Sequence, residues 1–191
     1  MPSTLAADAS PAFKAVADAL VAAMQEHGVP GAAVGVLWGD QEEHATFGLE
    51  SLSSLRPVTE QTLFQIGSLT KTYTATAIWH LIDQGALSLD APVRTWLPDL
   101  ALQDSVTAEM LTIGNLLDHS AGFYGDDLVD TGDSDDAIAR YVSERLPLLP
   151  QAFPLGEYFS YNNIAFTTLG RLIEVVTGAS YRAAMGNLLF A

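Results

Sequence analysis

Three features predict an α+β fold for this chain: an amphipathic helix near the start, an apolar β-hairpin after it, and a long remainder whose apolar residues recur at helical spacing. Residues 11–27 read as helix, 32–49 as hairpin and 68–186 as a mainly helical region. The sheet therefore has only the hairpin to build on.

Each element follows from local chemistry. Ser10 offers an N-cap, Pro11 fits the first turn, and Phe13, Val16, Ala17, Leu20, Val21 and Met24 form one apolar stripe that Gly28 ends. Val29-Pro30-Gly31 breaks the helix, Ala32 to Trp38 is a short apolar run, and Gly39-Asp40 turns it back into His44 to Leu49. Gly67-Ser68 opens a second helix carrying Tyr73, Ala77, Ile78, Leu81 and Ile82, expected to be mostly buried and to close at Gly85. Leu87 to Val93 and Trp96-Leu97-Pro98 read as extended or turning, and Thr112 to Leu117 as a short helix. The six aspartates between Asp126 and Asp136 mark a solvated segment, without the ligand spacing of a calcium loop. A last helix runs from about Asn163 through Leu169, Leu172, Ile173 and Val176 to Gly178.

With 191 residues, 49% of them hydrophobic, the chain is one compact unit or a large piece of one. Its 23 acidic residues outweigh 8 basic ones, for a net charge of −15, which repels a phosphate backbone and excludes nucleic acid as a partner. The acidity serves solubility. No cysteine is present, so thiolate chemistry and disulfides are out. His27, His44, His80 and His119 have no spacing suited to a metal, and no metal or other cofactor is expected. Trp38, Trp79 and Trp96 read as core and interface packing. Met1 to Leu5 lacks the basic start and apolar run of a leader, and no stretch reaches the ~20 apolar residues of a membrane span. The expectation is a cytoplasmic chain as written, or a periplasmic or secreted one if a leader has been removed.

The chemistry starts at Ser68-Leu69-Thr70-Lys71, where a hydroxyl and an amine lie one helical turn apart on the same face. A serine hydroxyl becomes a nucleophile when a base takes its proton, and a lysine serves as that base when its surroundings disfavour the ammonium. A helix N-terminus acts in that direction. Only Lys14 and Lys71 are lysines, and the second lies among apolar helical residues. Any solvated helix can contain Ser-x-x-Lys, so the tetrapeptide alone decides little. Downstream, Tyr161-Asn162-Asn163 stands between a Pro154-Leu155-Gly156-Glu157 turn and a helix. A tyrosine hydroxyl near an ammonium can exchange protons, and an amide such as Asn163 can fix substrate and lysine by hydrogen bonds. Equally, Tyr161 can pack at the helix entry while one asparagine caps it.

Taken in order, Ile66 to Lys71, Leu87 to Val93, Leu116-Leu117-Asp118-His119-Ser120-Ala121-Gly122, and Pro154-Leu155-Gly156-Glu157 through Tyr161-x-Asn163 to Leu169-Gly170 resemble the signatures of the serine β-lactamase-like, penicillin-binding-protein family. That group includes class C β-lactamases, D-alanyl-D-alanine carboxypeptidases, D-stereospecific peptidases and family VIII esterases. The likeness covers about residues 11 to 186. It implies a β-lactamase/transpeptidase-like fold and a Ser68 acyl-enzyme, with Lys71 and Tyr161 sharing the proton transfers and Asn163 orienting the acyl substituent. The Ser68 backbone N–H would supply half of the oxyanion hole, and His119 would be a structural residue behind the cleft. Ala121 and Asn162 stand where the family often has serine.

The family's third motif, a Lys/His-x-Gly or Trp-x-Gly strand giving the second oxyanion donor, has no match after Tyr161. By the resemblance, residues 1–191 form an incomplete domain whose remaining strands are missing from this chain, as in a fragment, a processed product or half of a split enzyme. A second chain could supply those strands. The expected function is hydrolysis of an ester, amide or β-lactam, with a small molecule or peptide as substrate. The alternative is a non-hydrolytic acyl-binding or scaffolding member of the same fold.

Overall fold

The computed structural model describes residues 3–190, and the chain divides between Gln65 and Ile66 into two compact units, each with its own apolar cluster.

The N-terminal unit holds β1 (Ser3–Leu5), α1 (Pro11–His27), β2 (Gly31–Trp38) and β3 (Gln41–Gly48). The strands form an antiparallel sheet in the order β1-β3-β2. The hairpin is as expected, with Trp38 opposite Gln41 across the Gly39-Asp40 turn. The sheet nevertheless has a third strand, because β1 pairs with the free edge of β3. There Thr4 bonds Thr46 through their hydroxyls at 2.6 Å, and Leu5 packs against the apolar cluster. At the far end of the hairpin Gly31 faces Gly48, and a Cβ on either would lie 2.2 or 2.1 Å from the carbonyl oxygens of Leu49 and Pro30. Only glycine fits that crossing.

Helix α1 starts where its caps require. Ser10 Oγ accepts from Phe13 N–H and donates to Glu43 Oε2 at 2.6 Å, tying the helix start to β3. Gly28 closes it in the left-handed conformation. Phe13, Ala17 and Met24 are buried against Ala45 and Phe47, with Leu20 and Val21 alongside. Val16 lies off that stripe and is 42% exposed.

The second unit is helical. A 3₁₀ turn (Gly67–Leu69) runs into α2 (Thr70–Asp83), followed by α3 (Ser105–Met110), α4 (Ile113–Leu117), α5 (Ala137–Glu144), α6 (Asn163–Thr177) and α7 (Tyr181–Met185). Helix α6 is its axis, packed by α2, α4, α5 and α7, with Ile164, Leu169, Leu172 and Ile173 essentially inaccessible to solvent. Helix α2 buries one face only, through Thr74, Ala77, Ile78 and Leu81. It is not mostly buried, since Tyr73 and Trp79 on its other side stay exposed. Thr112 caps α4 in a reciprocal box with Asn115. Of the tryptophans, Trp96 packs against the core, Trp79 is half exposed and Trp38 is 82% exposed, so the last is not a core residue.

The aspartate segment is mostly solvated, with Asp127 the exception. Its carboxylate accepts from Arg145 Nε and Nη2 at 3.1 and 2.9 Å, and Tyr141 donates its hydroxyl hydrogen to the same residue. These bonds join the segment to α5. Among the described residues, no helix is long and apolar enough to cross a membrane.

Candidate active site

Packing of α2 against α6 brings the amino end of one helix beside the entry of the other, and the four residues singled out in the sequence meet there. Ser68 lies in the 3₁₀ turn and Lys71 in the first turn of α2, one turn on, and Lys71 Nζ donates to Ser68 Oγ at 3.3 Å. Asn163 opens α6, and its Oδ1 accepts from Lys71 Nζ at 2.6 Å. Tyr161, just before the helix, donates its hydroxyl hydrogen to Ser68 Oγ at 2.7 Å. Ser68 is exposed, Tyr161 is 45% exposed, and Lys71 and Asn163 are half-buried.

Lys71 is further held by aromatic faces, its nitrogen 4.7 Å from the centroid of Tyr161 and 5.7 Å from that of Phe166. Interaction with Lys71, and next the hydrogen bond to Ser68, holds the Tyr161 hydroxyl below the usual phenol range, against its partial burial and the charge of Asp126. A stabilised phenolate is thereby brought nearer to neutral pH. Beside Lys71 a groove of about 210 Å³ is lined by Thr70, Thr74, Asn163, Phe166 and Tyr181, among others.

Asn162 does more than its place as a variant position suggests. It is 1% exposed; its Oδ1 accepts from Ala165 N–H to cap α6, and its Nδ2 donates to the Phe123 carbonyl at 2.8 Å. Its backbone N–H donates to His119 Nδ1 at 3.0 Å, so that ring nitrogen carries no proton. Burial first, and the Lys71 charge second, lower the His119 pKa, against the nearby Asp118 carboxylate. The ring packs at a tilt against Tyr161 with centroids 4.7 Å apart and also meets Phe159 and Phe166. His119 itself sits at φ 64°, a strained conformation for a residue with a Cβ. The residue missed in the sequence is Asp126, whose Oδ1 accepts from Asn163 Nδ2 at 2.7 Å. Nothing in an acidic run distinguishes that aspartate from its neighbours.

Residues 16–191 match the family model described as Beta-lactamase. The chain belongs to the beta-lactamase family. Within that family, it is 41% identical to penicillin-binding protein 4 of Amycolatopsis lactamdurans over 166 residues, covering 86% of this chain and 43% of that protein. It is 33% identical to esterase EstB of Burkholderia gladioli over 155 residues, covering 74% of this chain and 39% of the esterase. The crystal structure of a class C beta lactamase from Rhodobacter sphaeroides superposes with a TM-score of 0.69 at 32% identity, covering 93% of this chain and 48% of that one. The chain thus spans less than half the length of these beta-lactamase-family relatives, and its fold is of the β-lactamase/transpeptidase type.

Proposed function

We propose that this chain carries the nucleophilic part of a serine hydrolase that forms an acyl ester on Ser68. One observation carries the reading: Ser68 Oγ lies within hydrogen-bond reach of both the Tyr161 hydroxyl, at 2.7 Å, and Lys71 Nζ, at 3.3 Å. A hydroxyl in contact with an amine and a phenol, either of which can take its proton when deprotonated, suits covalent acyl transfer.

In this reading the Lys71 and Tyr161 pair removes the Ser68 proton as Oγ bonds to the substrate carbonyl carbon. The carbonyl electrons move onto oxygen, where the Ser68 N–H donates to the developing charge. Collapse breaks the bond to the leaving alcohol or amine, which receives the proton held by the pair. Water then attacks the ester by the same steps in reverse, releasing the acid and restoring Ser68. Asn163 keeps Lys71 in place and faces the acyl substituent. No metal or cofactor is needed for these steps. An ester, amide or β-lactam is the substrate class, supported by relatives bearing the names esterase, penicillin-binding protein and beta-lactamase.

We further propose that residues 1–191 are an incomplete domain. Among the described residues strand β2 has one edge unpaired, where further strands can add, and it ends in Leu37 and Trp38, which are 72% and 82% exposed.

The test is turnover of p-nitrophenyl esters and a chromogenic cephalosporin by the protein complete with its remaining strands, with Ser68→Ala as control. Ser68-dependent release of product supports the proposal, and equal rates in both proteins overturn it. A stable adduct without turnover favours the acyl-binding alternative.

A further inference from the structure

The Asn163 side chain is held from both ends. Its Oδ1 accepts from Lys71 Nζ at 2.6 Å, and its Nδ2 donates to Asp126 Oδ1 at 2.7 Å across 37 residues of sequence. An amide has two ends of nearly equal shape, so sterics alone do not choose between its two orientations. An ammonium only donates and a carboxylate only accepts, and both demand the same one. We infer that Asp126 is a positioning residue: it locks the Asn163 amide with Oδ1 toward Lys71, and so sets where the lysine nitrogen stands relative to Ser68. The catalytic meaning of this lock rests on the serine hydrolase reading above.

The backbone around Asp126 does not depend on its carboxylate. Asn163 N–H donates to the Gly125 carbonyl at 3.0 Å, and Tyr124 N–H donates to the Pro150 carbonyl at 2.9 Å. Asn162 Nδ2 holds the Phe123 carbonyl, and Arg145 holds Asp127 on the other side. Gly125 approaches α6 so closely that a Cβ there would lie 2.7 Å from Asn162 Cα. The loop is thus tied before and after residue 126, and the exposed Asp126 side chain makes its hydrogen bond to the Asn163 amide. Removing the carboxylate therefore takes away one of the amide's two holds and none of the loop's. A half-turn of the amide would then aim N–H groups at an ammonium that cannot accept them.

The carboxylate also acts through its charge. It opposes Lys71 at Tyr161, raising the phenol pKa that Lys71 lowers. Its removal moves the Tyr161 titration to lower pH.

The inference is tested by amide-proton exchange, read by ¹⁵N NMR on the full chain in wild type, Asp126→Ala and Asp126→Asn. In Asp126→Ala the Asn163 side-chain N–H protons exchange about tenfold faster, as expected for loss of one charge-assisted hydrogen bond. The Asn163 backbone N–H keeps its protection, and Asp126→Asn, which retains an acceptor oxygen, stays closer to wild type. Unchanged side-chain exchange overturns the inference. So does joint loss of backbone and side-chain protection, which would make Asp126 a loop anchor.

Kinetics supply the second arm. With a neutral ester, kcat falls about tenfold in Asp126→Ala while KM holds within about twofold, and Asp126→Asn restores most of kcat. The acidic limb of the rate profile moves to lower pH in both variants. An unchanged kcat and limb overturn the catalytic part. If the protein complete with its remaining strands shows no Ser68-dependent turnover, it is the hydrolase reading that fails, and the exchange experiment still decides the amide lock.

Discussion

Helix α6 buries eight residues and is packed by α2, α4, α5 and α7, whereas α1 buries Phe13, Ala17 and Met24 on one side and leaves Val16 42% exposed. The sheet beside α1 is equally one-sided: β3 is paired on both edges, while β2 ends in exposed Leu37 and Trp38. All four proposed site residues belong to the enclosed helical unit. A catalytic constellation needs side chains held to within about 0.5 Å, which a closed core provides and an open sheet edge does not. The contrast separates a unit able to place chemistry from one that supplies a partial surface.

The contrast can be broken at several points. The largest expected effect is on the proposed proton-transfer pair: Lys71→Ala and Tyr161→Phe each slow acylation by about 10²- to 10⁴-fold, measured by stopped-flow with a chromogenic ester. A variant acylated at the wild-type rate removes that residue from the pair. Next comes the axis of the helical unit. Leu172, fully buried in α6, should cost about 2–5 kcal/mol when replaced by alanine, measured by urea unfolding. A change under about 1 kcal/mol would contradict the account of α6 as the packing centre.

A smaller effect concerns pH. Arg145 is the main cause holding the Asp127 carboxyl below the usual carboxylate range. Its folded-state pKa therefore lies under its unfolded value, and the stability it contributes is present above an unfolded pKa of about 3.9. That contribution is lost as pH falls through the lowered folded value. Asp127→Asn should flatten this acid limb in a series of thermal melts; identical limbs in both proteins would argue against the link. The smallest effect belongs to the open unit, where Val16→Ala should change unfolding free energy by no more than about 0.5 kcal/mol. A cost comparable to Leu172→Ala would show that the face of α1 bearing Val16 is covered after all.

Much of this arrangement was legible because caps and turns act locally. Ser10-Pro11 and Gly28 bound α1, Gly39-Asp40 turns the hairpin, and Gly178 ends α6, each within a residue or two of its predicted place. Strand β1 was not legible, since Ser3-Thr4-Leu5 is too short to show a period and forms only against the β3 edge. Helices α3 and α5 escaped notice for a related reason. Six and eight residues long, they offer few apolar positions, and the Ile138, Tyr141 and Val142 stripe of α5 follows directly on an acidic run. At the site, Ser68 and Lys71 were visible as an i, i+3 pair, and Tyr161 and Asn163 through the ordered blocks around them. Asp126 was not, because its partner lies 37 residues away and only the fold brings the two together. Trp38 was misplaced because it closes an apolar run and a tryptophan is usually well buried, while here the end of β2 leaves it 82% exposed.

Whether Ser68 is the nucleophile is decided by peptide mapping with mass spectrometry after brief incubation with a fluorescent penicillin or a p-nitrophenyl ester. An acyl mass is expected on the peptide containing Ser68, absent from Ser68→Ala. Labelling that persists in Ser68→Ala, or that maps to any other residue, would contradict it.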